Sequence, residues 1–168
     1  MCYYFCMLKK MRKKICSKIC PKKKSREIVL VFPYRRNTAE MLIIKEYIHH
    51  YKRSYWKFVS GGVDKEETNN LMHASEELAE ELGMHSDHLY HFHSSERIFG
   101  NRGTHFYVAE DPNIMENPPE NPDIDFIEEI RWINESEFHH MLDTKELLWD
   151  EGTAVAGQVF RKYNINSQ

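Results

Sequence analysis

Between Ser60 and Met84 the chain reads SGGVDKEETNNLMHASEELAEELGM, and no other stretch limits its fold as strongly. At roughly 100° per residue, Leu71, Ala74, Leu78 and Leu82 fall on one arc of a helix. Glu77, Glu80 and Glu81 fall on an adjacent arc about 100° wide, with Glu76 just beyond it. A helix over Asn69–Leu82 therefore buries one stripe and carries carboxylates beside it. Gly83 is a natural left-handed residue to end that helix. Gly61 and Gly62, just upstream, allow another backbone to come close.

Glutamates four residues apart repel by a few tenths of a kcal/mol per pair, and both Glu76/Glu80 and Glu77/Glu81 are such pairs. One reading is a solvated polar face. The other is a site for a hard cation such as Mg²⁺, which takes oxygen ligands. Glu66 to Glu96 holds eight acidic residues and no Lys or Arg, so nothing local offsets the charge. The glycine pair allows close approach and can offer carbonyl oxygens to such a cation.

Around this segment, strand and helix patterns alternate. Glu27–Phe32 (EIVLVF) and Glu40–Tyr47 (EMLIIKEY) read as buried strands. Tyr55–Val59 (YWKFV) reads as a third, halted by the glycines. His88–Ile98 and Thr104–Ala109 are two more, joined by a turn at Gly100–Gly103. ENPPENPD is a proline-rich acidic loop that cannot join a sheet. Phe126–Ile133 (FIEEIRWI) is a further strand, followed by helices over Glu135–Leu142 and Trp149–Tyr163. No internal repeat interrupts this order. The pattern predicts an α/β (α+β mixed) class, with helices covering a mixed β-sheet.

Charge divides the chain. Residues 1–26 carry ten Lys or Arg and no Asp or Glu, so residues 27–168 hold 13 basic and all 26 acidic residues. A basic extension, 1–26, precedes an acidic domain, 27–168. The extension holds all four cysteines, Cys2, Cys6, Cys16 and Cys20. Its apolar MCYYFCML precedes its lysines, the reverse of a secretory signal. Leu8, Met11, Ile15 and Ile19 recur at helical spacing among lysines, a pattern that suits anionic lipid or nucleic acid; a plain flexible extension is the simpler reading. Cysteines confined to such a tail build no disulfide framework, so a reducing, cytoplasmic setting is expected. No apolar run reaches the about 18 residues of a transmembrane helix.

The stretch resembles the Nudix box, G-x5-E-x7-R-E-U-x-E-E-x-G-U, where U is aliphatic. Gly62 takes the first position. Glu77-Leu78-Ala79-Glu80-Glu81-Leu82-Gly83-Met84 matches E-U-x-E-E-x-G-U throughout, without a gap. Two positions depart: Thr68 stands at the first motif Glu and Glu76 at the motif Arg. In the family these two commonly pair, and here both are replaced together. Thr68 is then free to act as the helix N-cap.

The resemblance implies a Nudix-like α/β/α sandwich. It also implies a metal-dependent hydrolase cleaving the diphosphate of a nucleoside diphosphate linked to a group X. Mg²⁺ or Mn²⁺ would be held by Glu77, Glu80 and Glu81 with the Gly61 carbonyl. The proton acceptor is sought among Glu77, Glu81, Glu128 and Glu129. The C-terminal KELLWDEGTAVAGQVFRKY is similar to the closing segment of enzymes acting on ADP-ribose and nucleotide sugars. That group often ends an early strand with Gln-Tyr-Arg; here the place reads Glu46-Tyr47-Ile48. Tyr47 and Trp56 are candidates to stack on a base, and Arg53 and Arg102, on expected loops, to meet phosphate. The scattered His73, His85, His88, His91 and His93 read as surface and strand residues rather than a zinc site. The expected partner is a small-molecule nucleotide diphosphate, with a homodimer as an option. A nucleotide-binding module without turnover is the alternative that the two departures keep open.

Overall fold

The computed structural model describes residues 27–63, 69–96, 103–120, 126–148 and 150–165. The basic extension, Thr68, Arg102 and Trp149 therefore lie outside the described residues, as does the turn up to residue 102. Strand β1 (Glu27–Arg35) lies at the centre. It pairs in parallel with β7 (Gly103–Glu110), which pairs antiparallel with β6 (His88–Glu96). On its other edge β1 is shared: Glu27–Val31 pair with β4 (Val59–Val63), and Tyr34 and Arg35 pair with the start of β2 (Glu40–Ile48). Strand β2 also pairs antiparallel with β3 (Arg53–Lys57) and β9 (Ile127–Ile133). One parallel and several antiparallel ladders make the sheet mixed.

The single strand expected over Tyr55–Val59 is in fact two. Residues 53–57 hydrogen-bond to β2 and residues 59–63 to β1, with Phe58 as the joint. The glycines do not halt it; Gly61 and Gly62 are paired inside β4. Two short strands, β5 (Met84–His85) and β8 (Asn113–Ile114), escape the sequence reading because two residues carry no periodicity.

Alternation along the strands divides the core. Val29, Val31, Leu42, Ile44, Val59 and Tyr107 face one way and cluster with Ala74 and Leu78 of helix α1 (Asn70–Leu82). Leu30, Phe32, Tyr34, Ile43, Trp56 and Phe58 face the other way. They pack against Phe138 of α2 (Glu135–Asp143) and Val159 and Phe160 of α3 (Asp150–Ile165). The layers are α1, sheet, then α2 with α3, the expected sandwich. No helix among the described residues is long and apolar enough to cross a membrane.

Candidate active site

Helix α1 is capped by Asn69, not by Thr68. Asn69 has extended backbone, and its side chain accepts a hydrogen bond from the Leu71 amide at 3.0 Å, which satisfies one free donor of the first turn. The helix ends as expected at Gly83, whose φ of 61° is left-handed and whose N–H returns to Ala79 O. The buried face differs from the expected one. Ala74 and Leu78 are buried, but His73 replaces Leu71, which is 38% exposed. His73 Nδ1 lies 3.3 Å from Glu76, so Glu76, at the motif arginine position, meets an imidazole on its own helix.

Glu77 and Glu81 sit one turn apart on the helix face toward β4. A Cβ on Gly61 would stand only 1.7 Å from Glu77 Oε1, so the carboxylate fills the place of that missing side chain. Any other residue at 61 would push Glu77 away. At Gly62 nothing lies within 4 Å, so it is the first glycine, not the second, that admits the helix.

Glu81 reaches deeper. Its side chain is 12% exposed, and Oε2 accepts from the Ser60 amide at 3.3 Å. Its Oε1 stands 3.4 Å from Lys57 Nζ, and the same ammonium binds Glu46 at 2.5 Å. Lys57 follows Trp56 and precedes Phe58, and alternation turns it to the α1 face, where it is 7% exposed as a residue. The local reading found no counter-charge because the cation comes from a strand 24 positions away. The glutamate cluster is thus not without a basic partner.

One lysine serves two carboxylates, Glu46 and Glu81, and the titration of Glu81 and of the lysine itself reflects this. Burial pushes the Glu81 carboxyl up to about 7, Glu77 and Glu46 add to the rise, and Lys57 and the Ser60 amide oppose it. Burial alone would lower the Lys57 ammonium, but Glu81 and Glu46 more than reverse that, so its pKa is raised. The two directions agree physically: the lysine is held charged, yet it cannot offset three nearby carboxylates.

The other expected residues are placed unevenly. Glu80 is half-buried on α1 and makes no hydrogen bond or ion pair among the described residues. Glu128 and Glu129 are exposed on β9. Glu128 accepts from Ser54 Oγ at 2.5 Å and lies 3.7 Å from Lys45. It is the residue skipped by the irregularity opposite Lys45 and Glu46. Arg53 begins β3 rather than lying on a loop, and alternation puts it on the Lys57 side, its guanidinium 4.1 Å over Tyr55. Trp56 faces the opposite layer, buried beneath Arg131 at 4.6 Å, and Tyr47 shares that parity, its ring edge-on to His49. The structure does not bring these two rings together with the α1 carboxylates. Lys57, Glu46 and Ser60 are the site residues that sequence reasoning missed. A lysine inside a strand between Trp56 and Phe58 was the available signal.

The donor set suits a hard divalent cation in chemistry: carboxylate oxygens, a helix admitted closely by Gly61, and excess negative charge. It is not an assembled cage. Among the described residues no three His, Cys, Asp or Glu side chains stand together as a metal-ligand group. Glu81 is instead engaged by Lys57.

A family model for the NUDIX domain matches residues 24–151. No curated protein sequence matches the chain. Among solved structures, an ADP compounds hydrolase aligns with a TM-score of 0.64 at 17% identity, covering 88% of this chain and 76% of that one. A MutT from work on Aliivibrio salmonicida and Vibrio cholerae aligns at 0.59 and 17% identity, covering 82% of this chain and 97% of that one. At such identity the likeness is one of fold.

Proposed function

The chain belongs to the Nudix family, and from that premise we propose that it is a divalent-cation-dependent pyrophosphohydrolase acting on a nucleoside diphosphate linked to X. The observation that carries the reading is Glu77 seated over Gly61, one turn from a largely buried Glu81, with Lys57 shared between Glu81 and Glu46. Glu77, Glu80 and Glu81 would hold Mg²⁺ or Mn²⁺, with Gly61 offering its carbonyl. When bound, such an ion polarises a phosphoryl oxygen and acidifies a water. The chain's own part is positional. Gly61 lets α1 approach, Ser60 orients Glu81, and Arg53, on the Lys57 face, meets the diphosphate. Glu77 and Glu81 are the candidates to take the water's proton; Glu128, held by Ser54 and Lys45, and Glu129, opposite Lys45, belong to the Trp56 face.

ADP-ribose or a nucleotide sugar is the proposed substrate class, on the likeness of the C-terminal segment noted above. The test is a panel of ADP-ribose, nucleotide sugars and nucleoside triphosphates with Mg²⁺ or Mn²⁺. Expected is release of a nucleoside monophosphate from the diphosphate-bridged members, abolished by chelation. Binding without turnover across the panel would instead establish a nucleotide-binding module. The engagement of Glu81 by Lys57 is the observation that favours this second reading.

A further inference from the structure

The Lys57 ammonium touches Glu46 and Glu81 unequally, at 2.5 Å and 3.4 Å, and all three side chains are largely buried. They arrive from three elements: Glu46 from β2, Lys57 from the end of β3, and Glu81 from α1. The Ser60 amide fixes the other Glu81 oxygen. Thus the Glu81 carboxylate has one oxygen held by backbone and the other facing a cation whose tighter contact is elsewhere.

We propose that Lys57 is an internal competitor for the divalent cation at Glu81, and that Glu46 sets the strength of that competition by holding the ammonium aside. The inference rests on the metal reading given above. A divalent cation at Glu81 cannot share the Oε1 side with an ammonium at 3.4 Å without strong repulsion. Its arrival therefore moves Lys57 fully onto Glu46, which already holds it more closely. Glu46 keeps the buried ammonium paired, so the displacement leaves no isolated charge in the interior. Glu46 and Lys57 are positioning residues here; neither needs to touch substrate.

The test measures Mn²⁺ affinity of the full chain without nucleotide, by calorimetry and by the paramagnetic signal of free Mn²⁺. Lys57→Met removes the competitor and should tighten Mn²⁺ binding by about tenfold. Glu46→Gln frees the ammonium to bind Glu81 alone and should weaken Mn²⁺ several-fold. In the Lys57→Met background, Glu46→Gln should lose that effect, because Glu46 acts only through the lysine. A merely structural or long-range charge role of Glu46 would act equally in both backgrounds, and that result overturns the inference. So does Mn²⁺ affinity that is unchanged or weaker in Lys57→Met. Should Lys57→Met not fold, Glu46→Gln with unchanged or tighter Mn²⁺ affinity is equally fatal. Mn²⁺ binding insensitive to Glu81→Gln would remove the metal reading itself, and the inference with it. Binding that needs Glu81 but ignores Lys57 defeats the inference alone.

Discussion

At the scale of single residues, Glu81 ties pH to stability in the metal-free protein. Its folded pKa, about 7, lies above the ordinary value of 4.5, so the native state holds a proton that the unfolded chain releases. That contribution is fully present below pH about 4.5 and is lost as pH rises through about 7. The unfolding free energy without metal should therefore fall across this window by at most about 1.4 kcal/mol per pH unit, and the thermal midpoint with it. Glu81→Gln should flatten the slope; a midpoint that rises over the same range would contradict the assignment. Replacing Glu80 or Glu81 by Gln should also cost turnover about 10²-fold or more, as loss of a positioned charge does, with the fold intact by circular dichroism. Gly61→Ala should cost about 10²-fold in turnover by displacing Glu77. Gly62→Ala, facing open space, should leave kcat/KM close to wild type. The carboxylates were legible as a shared arc because helix geometry is local. Lys57 was not, because strand pairing brings it from β3, and a charge count within one segment cannot see across a sheet.

Helix α1 shows at the level of elements what periodicity reveals and what it misses. Its extent and its glycine stop were readable, since caps and a stripe are encoded within a few residues. The face that it buries was off by a small rotation: His73 goes inside and Leu71 outside, because contact with the sheet decides burial and an imidazole can pair with Glu76 there. The start is set by Asn69, so Asn69→Ala should cost about 1 kcal/mol in chemical denaturation. Removing the cap should also loosen Glu77 less than Glu76, since Glu77 is seated against β4; hydrogen exchange along α1 would display that gradient. Helix α2 was likewise expected over Glu135–Leu142, and the structure starts it with a reciprocal capping box of Asn134 and Glu137, both contacts at 3.0 Å. The division of residues 53–63 into β3 and β4 was not, because a continuous extended run looks the same whether it pairs with one neighbour or two.

Across the whole molecule, that division holds the layers together. Phe58 is buried at the joint, packed edge-on to Phe32 at 4.9 Å, in the layer shared with α2 and α3. Phe58→Ala should destabilise the protein by about 3–5 kcal/mol, with a large loss of activity in the surviving folded fraction, since β2 and β1 would no longer be bridged firmly. The sandwich class could be inferred from the order of strands and helices. The sharing of β1 between β2 and β4 could not, as it depends on long-range pairing. Alternation continues unbroken through the joint: Trp56 and Phe58 face one layer, Lys57 and Val59 the other, and Gly61 follows on the α1 side. The segment thus behaves like text with a frame of two. Losing one residue between Phe58 and Gly61 would shorten the chain by one step and exchange inside for outside at every position beyond it. Gly61 would turn away from the helix, Gly62 would take its place against Glu77, and Val63 would move to the open position that Gly62 now holds. Losing two would restore the frame but bring Val63 to the place beside Glu77 where only hydrogen fits. Substitutions along this strand are therefore graded in their effects, whereas changes in its length obey parity.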